Sequence, residues 1–317
     1  MNIAFFSEVN STGKVPRDFN NMRTEYAWYV ALDATHNFIG DLPKLSDKTY
    51  DLGIVIIPKT NMEQLTQFPL IKEMRRTCRK IGFMQEGPHW YFQDYPIEQQ
   101  IWYFNTLQEM DIILAHNKSD VNYYKGLTGK KDIYQNPSLM ITDNIKPEVN
   151  EEDRSGVMIG GNMVRWYGGF DSYMVAKQFE ENIYAPSMGR KIDREDEMDI
   201  NHLPYMDWGV WINNLSRYKY AVHLMPTHAA GTFALNCAHW GIPCIGYKGS
   251  DTQSELHPFL TVENGDLYSA SKLANKLKND KDFYTHCSKQ TILLYKNSVF
   301  TEKHYIYNMN SIIKEVI

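Results

Sequence analysis

The feature that most restricts this sequence is an alternation of short apolar runs with amphipathic stretches, which breaks near the middle and starts again. Residues 2–6, 52–57, 81–84, 111–115 and 133–135 read as strands. Residues 20–34, 65–80, 97–110 and 120–126 read as helices, with Met22, Tyr26, Tyr29 and Val30 at helical spacing in the first and Gly126 and Gly129 closing the last. Residues 142–155 turn polar and acidic (Pro147, Glu148, Glu151, Glu152, Asp153), the composition of a linker. Strands then resume at 156–159, 182–185, 221–225 and 243–247, with helices at 171–181, 211–217, 232–240 and 267–278. Strands separated by helices pair in parallel, with helices on both faces. The expected fold is therefore α/β: two facing, doubly wound, Rossmann-like domains, 1–150 and 151–302. A ligand cleft is expected at the carboxyl ends of their strands.

Composition narrows the functions this fold can carry. Of 317 residues, 43% are hydrophobic and 22% charged, enough apolar material for two cores. The first ten residues lack the basic start of a signal peptide, and the longest clean apolar run, 52–57, is too short to span a bilayer. No membrane insertion is expected. The four cysteines show neither a Cys-x-x-Cys pair nor metal-ligand spacing, as in reduced proteins of the cytoplasm. A net charge of −5 supplies no general field for nucleic acid. Two local basic stretches, 72–80 and the eight lysines from Lys272 onward, read as solvated helix faces that could also hold backbone phosphates. The Asp-x-Asp of Asp280 and Asp282 falls in that late lysine-rich helix rather than at a strand end, so no metal is expected. Neither Gly-x-Gly-x-x-Gly after a strand nor Gly-x-Ser-x-Gly occurs, which argues against dehydrogenases and hydrolases.

The most informative motif is PTHAAGTFALNCAHWGIP at 226–243, which follows a strand, opens a helix and ends in Gly-x-Pro before another strand. Gly231 and Thr232 fall at the helix start, where backbone N–H groups can hold a diphosphate at the positive end of the dipole. His228 in the loop and Asn236 one turn into the helix could hydrogen-bond hydroxyls of a sugar or ribose.

This stretch resembles the donor-binding signature of GT-B glycosyltransferases. Pro226, Gly231, Gly241 and Pro243 stand at matching positions, while His228 and Asn236 replace two glutamates that in the family lie by the donor sugar and hold the ribose. GVMIGGNMVRWYGGFD at 156–171 resembles the strand and glycine pair that open the donor domain. There the resemblance implies a diphosphate clamp at Arg165, the only cation of the stretch. Arg190, with Lys191, is a further phosphate or base-edge candidate, and residues 203–206 resemble the loop that reads the nucleobase. In the first half, IGFMQEGPHW at 81–90 places Glu86 and His89 three apart in a Gly-Pro turn after a strand, where both can reach a substrate hydroxyl. Glu86 resembles the base of phage DNA glucosyltransferases; His89 resembles the histidine of retaining GT-B enzymes. The loop 7–14 resembles the family's flexible first loop and is not a P-loop.

The resemblance implies an enzyme that takes a nucleotide sugar as co-substrate, with no other cofactor and no metal, and a last helix at 303–317 that returns to the N-terminal domain. Hydroxymethylated bases in DNA are the acceptor toward which the reading leans, placing a phage-encoded enzyme in the host cytoplasm. A carbohydrate or small-molecule acceptor is the alternative, and a non-catalytic nucleotide-sugar-binding protein of the same fold is a third reading.

Overall fold

The computed structural model describes residues 1–59, 62–187, 192 and 194–317. The chain divides into two compact units. The first comprises Met1–Phe19, Thr24–Pro137 and Glu302–Ile317; the second comprises Asn20–Arg23 and Ser138–Thr301.

Seven strands form the sheet of the first unit: β1 (Ile3–Ser7), β2 (Gly13–Lys14), β3 (Thr35–Phe38), β4 (Tyr50–Ile56), β5 (Cys78–Met84), β6 (Ile112–Ala115) and β7 (Ile133–Gln135). Their order is β2-β3-β1-β4-β5-β6-β7, parallel throughout except for the antiparallel edge strand β2. Every residue of β1 and β6 is buried, as expected for parallel strands covered on both faces. The helices are α1 (Thr24–Ala31), α2 (Met62–Gln67), α3 (Leu70–Thr77), α4 (Ile97–Glu109) and α5 (Lys118–Thr128). The single helix expected at 65–80 is two, because Pro69 has no N–H to continue the first and the chain is already extended at Cys78. The expected helix at 20–34 shortens to Thr24–Ala31, and residues 20–23 join the other unit.

The second unit carries a six-stranded, fully parallel sheet: β8 (Val157–Ile159), β9 (Ile183–Ala185), β10 (Asn201–His202), β11 (Tyr220–His223), β12 (Cys244–Tyr247) and β13 (Thr261–Val262). The order β10-β9-β8-β11-β12-β13 is that of a dinucleotide-binding Rossmann sheet, with its switch point between β8 and β11. Around it lie α6 (Gly169–Ala176), α7 (Trp208–Leu215), α8 (Thr232–Trp240), α9 (Asp251–Leu256), α10 (Leu267–Asn279) and α11 (Lys281–Lys296). The acidic stretch 142–155 is anchored on this unit. Lys146 N–H donates to Asn213 Oδ1 (2.9 Å), Glu148 N–H donates to Ser216 Oγ (2.8 Å), and Glu148 pairs with Arg217. Asp280 lies between α10 and α11, away from any strand end, and caps α11, accepting from Phe283 N–H at 2.9 Å.

The last helix, α12 (Glu302–Val316), belongs to the first unit and packs against α1. Tyr305 is fully buried there and donates to Asn136 Oδ1 at 2.7 Å, while Glu302 holds Arg17 through two contacts of 2.7 and 3.0 Å. Among the described residues no helix is long and apolar enough to cross a membrane.

Candidate functional site

The second unit contains a cavity of about 590 Å³, well within the size range of small-molecule sites. It opens at the carboxyl ends of the strands around the switch point. Gly161 follows β8, Pro186 and Ser187 follow β9, Pro204 and Tyr205 follow β10, and His223 closes β11. Aromatic rings of Tyr205, Trp208, Trp211 and Phe233 supply much of its wall. Gly231 and Thr232 line it at the start of α8, so the N–H groups of the first helical turn lie at its edge. Gly231 has φ +68°, and an added Cβ would fall 2.0 Å from both Ser250 Oγ and Thr252 Oγ1. The loop therefore needs glycine for its backbone conformation and for its packing.

Of the donor-side residues expected from the sequence, Gly231, Thr232 and Asn236 line this cavity. Asn236 is 4% exposed and committed to its neighbours: its amide nitrogen donates to the Thr232 carbonyl (3.2 Å) and its oxygen accepts from Trp211 Nε1 (3.3 Å). Pro204, Tyr205 and Met206 of the loop expected to read a base also line it. His228 is not among the lining residues. Its ring lies over Gly249, where an added Cβ would come within 1.9 Å of Nε2. Arg165 is exposed in a single helical turn, Arg165–Tyr167, and Tyr167, two residues on, is the one that reaches the cavity. Arg190 lies outside the described residues. Arg23 and His223 line the cavity and were not expected to. Nothing local marks Arg23, which comes from the short excursion 20–23. His223 does carry a signal: it is the one polar residue in the apolar run AVHLM at 221–225.

In the first unit, Glu86 and His89 do lie together, in the turn after β5, around a small gap of about 20 Å³. Their surroundings differ. Glu86 faces Lys59 Nζ at 3.5 Å, and that ammonium also lies over the Tyr91 ring, 4.9 Å from its centroid. Burial pushes the Glu86 carboxyl above its ordinary range against the pull of Lys59, with Glu8 and Glu25 adding to the rise. His89 packs on Tyr123 with ring centroids 4.1 Å apart, and its Nδ1 lies 2.8 Å from Asp120 Oδ1. Asp120 is fully buried in the first turn of α5, and its other oxygen accepts from Asn117 (2.9 Å) and Gln85 (3.3 Å). Burial alone would raise this carboxyl. The hydrogen bonds from His89 and Asn117, with His116 nearby, outweigh it and hold Asp120 below its ordinary value. An ionised Asp120 only accepts, so His89 Nδ1 carries the proton and Nε2 is left as the basic nitrogen. Among the described residues no cluster of three or more His, Cys, Asp or Glu is placed to hold a metal.

No family model and no curated protein sequence matches this chain. Solved structures do. HepE of Anabaena, in complex with UDP and glucose, superposes with a TM-score of 0.71 at 9% identity, over 99% of this chain and 100% of that one. Sucrose-phosphate synthase from Thermosynechococcus elongatus gives 0.64 at 11% identity, covering 84% of this chain and 74% of the other. TarM gives 0.64 at 9% identity over 86% of this chain, which spans 57% of TarM's own length. At such identities the likeness is one of fold, and with the two Rossmann-like units described above it establishes that this chain has the GT-B fold.

Proposed function

We propose that this protein is a glycosyltransferase that takes its donor, a nucleotide sugar, into the cavity of the second unit and activates an acceptor hydroxyl with His89. The observation that carries the reading is the cavity at the Rossmann switch point. It has aromatic walls for a base and ribose, and the N-terminus of α8 for a diphosphate. HepE, of the same fold and nearly the same length, was crystallised with UDP and glucose, so UDP-sugars are the donors to try first.

His89 is preferred to Glu86 as base because a general base must be held and oriented as well as basic. Asp120 fixes the His89 ring and its tautomer, whereas Glu86 is engaged by Lys59. This dyad also favours an enzyme over a non-catalytic sugar-nucleotide binder. For the acceptor, a carbohydrate or small-molecule hydroxyl is the class we put forward. Hydroxymethylated DNA drew its support from the resemblance of residues 156–165 and Glu86 to phage DNA enzymes and from the two basic stretches. In the first of these stretches, 72–80, the arginines are already engaged: Arg75 with Asp111, Arg76 with Asp47 and Glu73, Arg79 with Asp51. The test is sugar transfer followed by mass, from UDP-glucose and UDP-N-acetylglucosamine to a panel of glycosides and to DNA containing 5-hydroxymethylcytosine. Transfer to a glycoside is expected. Transfer to DNA alone would reverse the acceptor assignment, and the absence of any nucleoside diphosphate binding in thermal shift would overturn the donor site.

A further inference from the structure

The cavity of the second unit holds a titratable group whose setting points to a ligand. His223 lines both the large cavity and a gap of about 30 Å³ behind it. Its ring fills the space over Gly160, where an added Cβ would fall 2.5 Å from Cγ, and meets the Phe233 ring edge-on at 5.1 Å. Its Nε2 is shielded from solvent and has no hydrogen-bond partner in the protein. Leaving a buried polar atom unpaired is unfavourable, so such an atom inside a cavity calls for a partner from outside the chain. The adjoining loop repeats the pattern: Asn162, next to the cavity-lining Gly161, is 4% exposed and its Nδ2 is also unpartnered. The described residues of the cavity wall include Arg23 and no carboxylate, and Gly231 and Thr232 bring the start of α8 to the same space. An anion suits every one of these features.

We propose that His223 is an anion-binding residue of this cavity: on binding, its imidazole takes a proton from solvent and donates an N–H to a phosphoryl oxygen of the nucleotide sugar. The inference rests on the donor reading above. Burial by itself holds the His223 ring down, at about 4, so that it is neutral at pH 7. The titratable groups that share its two cavities are Arg23 and the tyrosines Tyr167, Tyr205 and Tyr247, the last of which donates to Asp171 of α6 at 3.1 Å. β8 and α8, packed on either side of it, bring no carboxylate. A phosphate beside the ring favours its charged form, so binding must be linked to proton uptake.

The experiment is calorimetric titration of the whole chain with UDP-glucose, between pH 6 and pH 8, in buffers of different ionisation enthalpy. The diphosphate diester of UDP-glucose stays ionised across this range and contributes no proton of its own. Wild type is expected to take up a substantial fraction of a proton, and to bind more tightly as pH falls, by at most about tenfold per unit. His223→Gln keeps a hydrogen-bond donor but cannot titrate, and should lose both the uptake and the pH dependence. His223→Phe keeps the packing on Gly160 and should weaken binding by about tenfold or more. Uridine, which has no phosphate, should bring no uptake. The wild-type proton count decides even if a variant does not fold. UDP-glucose binding without uptake, or uptake that survives in His223→Gln, overturns the role of His223 and leaves the donor site standing. Failure of wild type to bind any nucleoside diphosphate removes both.

Discussion

The two units solve opposite problems with the same kind of sheet. In the first, most polar groups after β5 and β6 are bonded to one another, with the buried Nδ1 of His116 an exception. Asp120 is held by His89, Asn117 and Gln85, Lys59 pairs with Glu86, and little space is left between them. In the second, the strand ends surround about 590 Å³ walled in part by aromatic rings, and two buried nitrogens, on His223 and Asn162, find no partner in the chain. A group that must act as a base gains from being fixed in advance, since orientation is then not lost at the moment of reaction. A site that must take in a large ligand gains from keeping its hydrogen bonds unspent. Under the proposed function the contrast is between a prearranged reacting group and a reserved binding space, and each half of it can be broken by mutation.

The largest effect is expected at the dyad. His89→Ala should lower turnover by about 10²–10⁴-fold, the usual share of general base catalysis, with UDP-glucose affinity unchanged. Asp120→Asn should approach the same loss, because an amide no longer fixes the Nδ1–H tautomer of His89. Asp120 also makes a stability prediction. Its carboxyl is held below its ordinary value of 3.8, so its stabilisation is complete above that value and is lost as pH falls through the folded value. Acid unfolding of Asp120→Asn, followed by circular dichroism, should therefore be less steep below pH 4 than that of wild type. An enzyme that loses donor affinity in either variant would blur the division between the units.

Gly231→Ala attacks the other half. The new Cβ would meet Ser250 and Thr252 in a backbone with φ +68°, so a cost of about 2–4 kcal/mol is expected from the conformation and the overpacking together. The melting temperature should drop by roughly 5–15 °C and UDP-glucose affinity should fall with it. Unchanged affinity in the folded fraction, measured by calorimetry, would detach the start of α8 from the phosphates. Turnover per bound donor should change little, the reverse of the dyad variants.

Much of this was legible in the sequence, for reasons that differ from place to place. Strand segments buried on both faces appear as unbroken apolar runs, so β1, β6 and the inner parts of β4 and β5 stand out from their residues alone. The two-residue strands β2, β10 and β13 are too short for any periodicity, and they exist only because a neighbour pairs with them. Gly231 and Thr232 could be found because a helix start after a strand is a local pattern. Asp120 sat in plain view at the head of an expected helix, but its role depends on His89, 31 residues earlier, and only the fold brings the two within 2.8 Å. Arg23 is harder still, since a four-residue excursion carries it into the other unit.

A smaller effect is expected at the basic stretch, where the contrast predicts structural rather than binding losses. Arg75 donates to the Glu109 carbonyl as well as to Asp111, and Arg76 donates to the carbonyls of Leu42 and Leu45 as well as to Asp47 and Glu73. Replacing both with alanine should lower the melting temperature by about 2–5 °C. It should leave whatever weak affinity the protein has for DNA, and the salt dependence of that affinity, as they were. A reduced salt slope with an unchanged melting temperature would restore these arginines as phosphate contacts and reopen DNA as acceptor.

The smallest effect belongs to Glu86, and it tests whether the first unit is wired as described. Burial raises the Glu86 carboxyl above its ordinary value of 4.5, so between that value and the raised one the folded chain holds more proton than the unfolded chain. Stability must therefore fall as pH rises through this window, and at neutral pH the ionised Glu86 is a net cost, reduced but not cancelled by Lys59. Glu86→Gln removes the charge and keeps the shape. It should stabilise the protein at pH 7 by less than about 1 kcal/mol, since the carboxyl is partly exposed and screened by solvent. The gain should vanish below pH 4.5, where glutamate and glutamine are alike neutral. Turnover should stay within a few-fold of wild type if His89 is the base. A fall in turnover comparable to that of His89→Ala would transfer the catalytic role to Glu86. Lys59 would then be the group that keeps that base ionised, and the first unit would owe its chemistry to the Lys59–Glu86 ion pair instead of to the buried dyad.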